Sequence, residues 1–475
     1  MAPTPEEVLE LVENLSRKIA VRRPDIARHV SYYKGREGRM KFASDEFRDY
    51  FQRRFEGFSD NWCMPVAEAP IERIHHLGMR LPGERVPDAT LARAWERNDA
   101  DRGLSEALLM MTVAKRSFAL VSPTPSGKAR ITFENPDSAV VVRDPVTRER
   151  SAGLVVWQDD KAEYAELHLP SSVLALRRDK TTVEQGERRV PPDVNGWRFD
   201  DKRAVERKNP LGAVGLVEFR NQALLDDDPI SDIAGVEAMQ DSINLVWAYL
   251  LNALDYASLP GRVVLNAEVP EVPILDKETG QKIGTRPVEL DQLIKDRMLW
   301  VPGDKASISE WTAAQLDVFS KVIEHAVRHI AAQTRTPGHY LLAGENTPAT
   351  GYELAEAGLT SKANQRIGFV RPEVREVYRL VALAEGDADL AQRVAEGTPL
   401  FAKTQYRSEV QMWDGLIKAR QAGFPLQWIA EEYGLDPTEV ERVMEMVRRE
   451  SEDPYLARLS AKGAEDAGAE PAEVG

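Results

Sequence analysis

Two separated stretches of this chain carry the periodicity of long one-faced helices, and neither can bury its apolar stripe by itself. In 231–256, Val236, Met239, Ile243, Val246 and Leu250 recur at intervals of three and four residues, which places them along one side of a helix. Leu316, Phe319, Ile323, Val327 and Ile330 repeat the pattern in the second stretch. Pro260 and Gly261 are expected to stop the first helix. Between the two lie GRVVLN, a segment rich in Pro, Lys and Gly, and MLWVPG, which read as a small strand-containing insert over 259–306. The pattern predicts two antiparallel helices with the insert at their common end, each stripe packing on the other helix and on neighbours.

The remainder divides by period. Residues 1–110 read as helices and loops, with apolar positions three and four apart in EEVLELVENLSRKI and again over 66–77. From residue 118 to 220 the chain changes to short β-rich runs, FALVS, RITFE, AVVVRD, GLVVWQ, YAELHL and VLALRR, separated by Pro, Gly and charged turns, which predicts antiparallel sheet. TRTPGHYLLAGENTPATG, 334–351, reads as an irregular loop leading into a helix from Tyr352. Residues 401–450 return to helix, and AKGAEDAGAEPAEVG has no apolar period and reads as a disordered tail.

With 475 residues the chain is too long for one typical domain, and 43% hydrophobic with 29% charged residues is ordinary for a globular protein. No apolar run reaches the roughly 18 residues that span a bilayer, and the acidic amphipathic start lacks the features of a secretory signal. Cys63, the single cysteine, excludes an internal disulfide framework and a multi-thiolate zinc site, and reads as a buried, inert thiol. A net charge of −15 argues against a broad basic surface gripping nucleic acid.

Residues able to carry chemistry have plainer readings. Gly127-Lys128 lacks the earlier glycine of a phosphate loop, and Ala129 stands where a metal-binding hydroxyl belongs. His75 and His76 are adjacent and point to different sides of a helix. Asp226, Asp227, Asp228 and Asp232 precede a helix and read as a solvated cap that complements its dipole. PLQWIAEEYGLDPTEVERVMEMVRRE mimics a helix-turn-helix, yet Asp436, Glu439 and Glu441 sit where phosphate and base contacts need positive or amide groups. No catalytic, cofactor-binding or metal-ligating set is expected.

The order of features, with YYKGREG at 32–38, NWCMPVAEAPIERIHHLG at 61–78, DPISDIAGVEAMQDSINLVWAYL at 228–250 and TRTPGHYLLAGENTPATGYELAEAGL at 334–359, resembles the portal proteins of tailed double-stranded DNA bacteriophages. The similarity is to the long-tailed phage portal family with wing, stem, clip and crown. Pro337, Asn346 and Gly351 match its loosely patterned series, and Thr350 stands where that family usually has Ser. The resemblance implies an α+β, mainly helical, ring-forming portal fold. It assigns 1–230 to an α/β wing, β-rich from about 118, 231–258 to the first stem helix, 259–306 to a small strand-containing clip and 307–333 to the second stem helix. It further assigns 334–351 to a channel loop, 352–400 to a helix returning to the wing, 401–452 to crown helices and 453–475 to the tail.

The same resemblance implies a homododecameric channel at one capsid vertex, made in the host bacterial cytoplasm, that serves genome packaging, retention and ejection. Its implied partners are the major capsid protein and scaffold, the terminase large subunit, the head-to-tail adaptor and duplex DNA passing without sequence specificity, with no membrane and no enzyme activity. Channel-loop candidates are Thr334, Pro337, Gly338, Asn346, Thr350 and Gly351. Asp241 on the first stem helix and Glu310, Asp317 and Glu324 on the second lie off the apolar stripes and are candidates to face the bore, neighbour contacts being the other use. Lys321 and Arg328 would pair with these carboxylates or touch phosphates transiently. Two other readings are a phage DNA-binding regulator using 425–448, and a metal-dependent nuclease or hydrolase using the Asp226, Asp227, Asp228 and Asp232 carboxylates.

Overall fold

The computed structural model describes residues 4–36, 45, 49, 59–179, 196–201, 205–222, 225, 228–258, 262–265, 271–275, 280–287, 298–301, 307–310, 316–342, 349–405, 409–433, 435 and 437–452. The chain opens with α1 (Pro5–Tyr33), α2 (Cys63–Ile71), β1 (His76–Arg80), α3 (Ala89–Arg97) and α4 (Ala100–Ala114). Strands β2 (Arg116–Pro123), β3 (Ala129–Glu134), β4 (Ala139–Arg143), β5 (Arg150–Gln158), β6 (Ala162–His168) and β7 (Ser172–Asp179) follow. Next come β8 (Arg198–Phe199), β9 (Glu206–Lys208), β10 (Leu216–Arg220) and the helix α5 (Glu237–Ser258). The distal unit contains β11 (Arg262–Leu265), β12 (Glu271–Leu275), β13 (Lys282–Pro287), β14 (Met298–Val301) and β15 (Ser307–Glu310). The return path is α6 (Asp317–Thr334), α7 (Gly338–Leu341), α8 (Ala349–Ala384), α9 (Ala388–Glu396) and β16 (Thr398–Phe401). Helices α10 (Glu409–Gln421), α11 (Leu426–Tyr433) and α12 (Pro437–Glu452) end the described chain.

Helix α1 starts with a capping box in which the Glu7 amide donates to the Thr4 hydroxyl at 3.3 Å and the Thr4 amide donates to the Glu7 carboxylate at 2.7 Å. Pro5 occupies the first turn, where its missing N–H costs nothing. The buried stripe Val8, Val12, Leu15 and Ile19 lies on the antiparallel sheet ordered β4-β5-β6-β7-β8, against Leu154, Leu167 and Leu176. A second antiparallel sheet, β10-β2-β3, is covered by α4 and α8 through Leu104, Leu108, Met111, Val374 and Val377. Strand β16 pairs antiparallel with β1, so the chain returns to its own N-terminal region. The β-rich runs read from sequence are therefore strands, as their alternation requires.

Helices α5 and α6 run antiparallel: the Gln333 amide near the end of α6 donates to the Gly235 carbonyl just before α5, at 3.0 Å. Their stripes meet as Ile243, Met239, Val246, Ile323, Val327 and Ile330, together with Val236, in one buried cluster. At the far end, β11 pairs parallel with β14 and antiparallel with β15, while β12 and β13 form a hairpin.

Three expectations change. The first long helix begins at Glu237 rather than 231, because the preceding segment is tied elsewhere: the Ser231 hydroxyl donates to Val113 and the Asp232 amide to Thr112 at the end of α4. The second begins at Asp317, since 307–310 is a strand whose register sets Glu310 opposite Arg262 of β11. The 334–351 segment contains the one-turn helix α7, and α8 already includes Thr350 and Gly351. Pro260, Gly261 and the tail over 453–475 lie outside the described residues.

Candidate functional site

The helix pair leaves the body through a socket of buried polar contacts. Tyr32 of α1 donates its hydroxyl to the Asp241 carboxylate at 2.9 Å, and His29 meets Glu237 at the first turn of α5. Asp60 is gripped from several sides. Its amide donates to Asn244 at 3.1 Å, its carbonyl accepts from Gln240, and its carboxylate accepts from the indoles of Trp62 and Trp247 at 3.0 and 2.8 Å. Gln240 also accepts from the Trp62 amide at 2.7 Å. Buried and part-buried polar groups paired in this way favour one orientation, because another would leave most of these donors and acceptors unsatisfied.

Asp232 is the second anchor. Its carboxylate is nearly fully buried between Arg366 at 2.6 Å and Lys362 at 3.2 Å, both on α8, and accepts from Asn221 at 2.8 Å. Burial alone would push this carboxyl up, and the charges of Lys362 and Arg366, with hydrogen bonds from Asn221 and Arg366, more than offset it, holding it below the usual aspartate range. Burial lowers the Lys362 ammonium, with Asp232 opposing that shift. Asp228 pairs with Arg116 and, at 3.3 Å, with Lys115. The expected solvated cap is thus an ion-paired anchor at Asp228 and Asp232, because cations from β2, α4 and α8 converge there; Asp226 and Asp227 lie outside the described residues. A metal at Asp232 would have to displace two cations already held against it.

The far half of the pair is differently finished. Asp317, Lys321, Glu324 and Arg328, spaced four, three and four residues apart, are all exposed on one face of α6. Apolar Tyr249 and Leu254 on α5 and Val318 and Val322 on α6 are exposed as well, at 41–52%. Two sequence candidates leave this set. Asp241 is 1% exposed and faces α1, and Glu310 belongs to the distal sheet rather than to a helix.

Of the loop candidates, Thr334 is buried, its hydroxyl donating to the Ile330 carbonyl at 2.8 Å, and Pro337 is buried as the residue capping α7. Gly338 is half-buried at the start of that helix, Thr350 and Gly351 are in the first turn of α8, and Asn346 lies outside the described residues. Arg73, which the sequence places in the 61–78 stretch without a role of its own, holds this region: it bonds the Tyr340 hydroxyl at 2.9 Å, Glu356 of α8 at 3.0 Å and the Thr404 carbonyl at 3.3 Å. The Lys362–Arg366 spacing is a weak signal at most, since Arg371, Arg375 and Arg379 on the same helix repeat it and like charges four apart repel only slightly.

Asp232→Asn is expected to cost ~3–5 kcal/mol by stranding Arg366 in the interior. Thermal denaturation at neutral pH should show a clear drop in melting temperature, and no drop would contradict the anchor. The sign with pH follows from the depressed carboxyl: its contribution is full above the ordinary aspartate range and is lost as pH falls through the lower folded value. The stability gap between wild type and variant should therefore close in acid.

A family model for phage portal proteins of the SPP1 Gp6-like type matches residues 84–398, a stretch that includes the helix pair, the distal unit and α8. The portal protein of Mycobacterium phage D29 is 23% identical over 317 residues, which cover 64% of this chain and 60% of that protein, so the match spans less than two thirds of that relative. The portal protein of Mycobacterium phage L5 is 21% identical over 388 residues, 79% of this chain and 74% of the relative. Among solved structures, a chain from the neck of a native gene transfer agent particle computed with C12 symmetry aligns at 14% identity and TM-score 0.42, over 83% of this chain and 95% of that one. With the matched stretch running from the approach to α3 as far as β16, the chain belongs to the phage portal protein family, SPP1 Gp6-like.

Proposed function

We propose that copies of this chain close into a ring, twelve in the virion, at one capsid vertex, with the α5–α6 pair around a channel for duplex DNA and the β11–β15 unit at its outer end. The observation that carries the reading is the distal half of the helix pair, where apolar Tyr249, Leu254, Val318 and Val322 remain exposed beside a charged face. Apolar side chains left open on two packed helices gain by meeting the same elements of a neighbour. A head-to-tail contact repeated by rotation closes into a ring. Packaging, retention and ejection of the genome are the roles that such a channel serves, and a binding and conducting role requires no catalytic residue.

The bore is acidic or balanced rather than basic in this account. Twelve chains at −15 each bring −180 to the ring, and the exposed face of α6 alternates Asp317, Lys321, Glu324 and Arg328. With Asp241 and Glu310 removed from that face, the stripe is balanced, not the mainly negative one read from sequence. Phosphates passing it find no deep wells, so the duplex slides without breaking a series of strong ion pairs. Purified rings should show no sub-micromolar duplex binding at physiological salt; tight binding would overturn the sliding reading.

The distal unit docks the terminase during packaging and the head-to-tail adaptor afterwards, because it projects at the far end of the pair. Deleting about residues 268–290, the β12–β13 hairpin, should leave rings that form without binding adaptor, and normal adaptor binding would rule the assignment out. The 334–351 segment, held at both ends by helices, lines the narrowest part of the channel. Removing a few residues from 343–348 should spare ring assembly and impair packaging, and full-length genomes packaged at normal efficiency would refute that role.

A further inference from the structure

A cleft of about 470 Å³ opens between α2 and α4. Its floor is apolar, with Ile71, Leu104 and Leu108, and its rim carries three carboxylates, Glu68, Glu72 and Asp101, beside His75 and His76. Two of the rim carboxylates have partners in the same chain: Glu68 accepts from the Tyr33 hydroxyl at 2.6 Å, and Asp101 accepts from the Trp95 indole at 2.7 Å and lies 3.8 Å from the His76 ring. Asp101 nevertheless keeps 67% of its side chain in solvent, and Glu72 is exposed. A site of this kind takes an apolar knob flanked by positive charge.

The same chain carries such a knob. Within 17–28 of α1 there are five basic residues, Arg17, Lys18, Arg22, Arg23 and Arg28, against one acid, Asp25, in a chain whose net charge is −15. Arg28 is engaged by Asp25 at 2.7 Å, Arg23 by the Asp137 carbonyl at 2.9 Å, and Arg22 is half-buried; Arg17, which bonds only Asn14 one turn back at 3.1 Å, and Lys18 are exposed on the outer face. Val21, one turn on from both, is 74% exposed, although the opposite side of α1 is packed on the sheet.

We infer that in the ring the outer ridge of α1, Arg17, Lys18 and Val21, of one copy docks into the α2–α4 cleft of the next copy. The contact joins two different surfaces, as a closing head-to-tail ring requires. It rests on the ring reading above and adds where neighbours meet outside the helix pair.

The test uses full-length chains in assembled rings. Val21→Cys and Ser105→Cys are made in separate chains and co-assembled, then treated with a short bismaleimide; Ser105 is an exposed residue lining the cleft. Cys63 stays silent because it is fully buried and burial pushes its thiol up to about 12. A linked dimer of V21C with S105C can arise only between copies and is the expected result. Val146→Cys, at the 87% exposed tip of the β4–β5 turn, should give none with S105C. Rings that form and yield no V21C–S105C dimer, or that yield as much with V146C, overturn the docking while leaving the ring intact. An S105C thiol that links to no copy yet becomes shielded in the capsid assigns the cleft to another protein and also overturns it. A wild-type chain that forms no ring defeats both readings.

Discussion

A carboxylate buried between two cations governs how the rest of this subunit is arranged. Asp232 stands five residues before α5, and Lys362 and Arg366 belong to α8, so their contact fixes where the helix pair leaves the body relative to the long helix that returns from it. A buried triad of this sort adds little net stability, because desolvation consumes much of the Coulombic gain, but removing one partner is costly. Its main effect is selection of one arrangement. The Asp60 contacts do the same for the first two turns of α5, where Asn244 accepts from the Asp60 amide and Gln240 from the Trp62 amide.

From this fixed base the pair projects with a change of surface along its length. Near the body, α5 and α6 bury Ile243, Val327 and Ile330 completely; towards the distal unit they leave valines, a leucine and a tyrosine exposed. A rigid root and an unfinished tip suit a subunit that must hold its angle while neighbours complete its packing. The charge distribution fits the same reading, since a balanced helix face on an acidic chain offers a polyanion no strong hold.

The helix pair was legible because an apolar stripe at intervals of three and four depends only on local geometry. The β-rich segment was legible for the same reason, through alternation. What local pattern cannot carry is which side chain meets which across the chain. Asp241 looked like a free polar residue off the stripe, yet its partner, Tyr32, lies 209 residues earlier. The resemblance places Glu310 on the second stem helix, ahead of the first stripe residue at 316, whereas SISE alternates as a strand and finds β11 as its partner. Asp232 read as a cap because carboxylates before helices are commonly caps. The two cations that bury it come from α8, more than 100 residues on, and nothing local to Asp232 points to them.

The measurement that bears most directly on the central claim is the mass and shape of the purified full-length chain at physiological salt, by native mass measurement with negative-stain imaging. The account predicts closed rings of several hundred kilodaltons with a central hole, the helix pairs converging on it. A chain that remains a monomer or a dimer at every concentration, or assemblies without a hole, would contradict it.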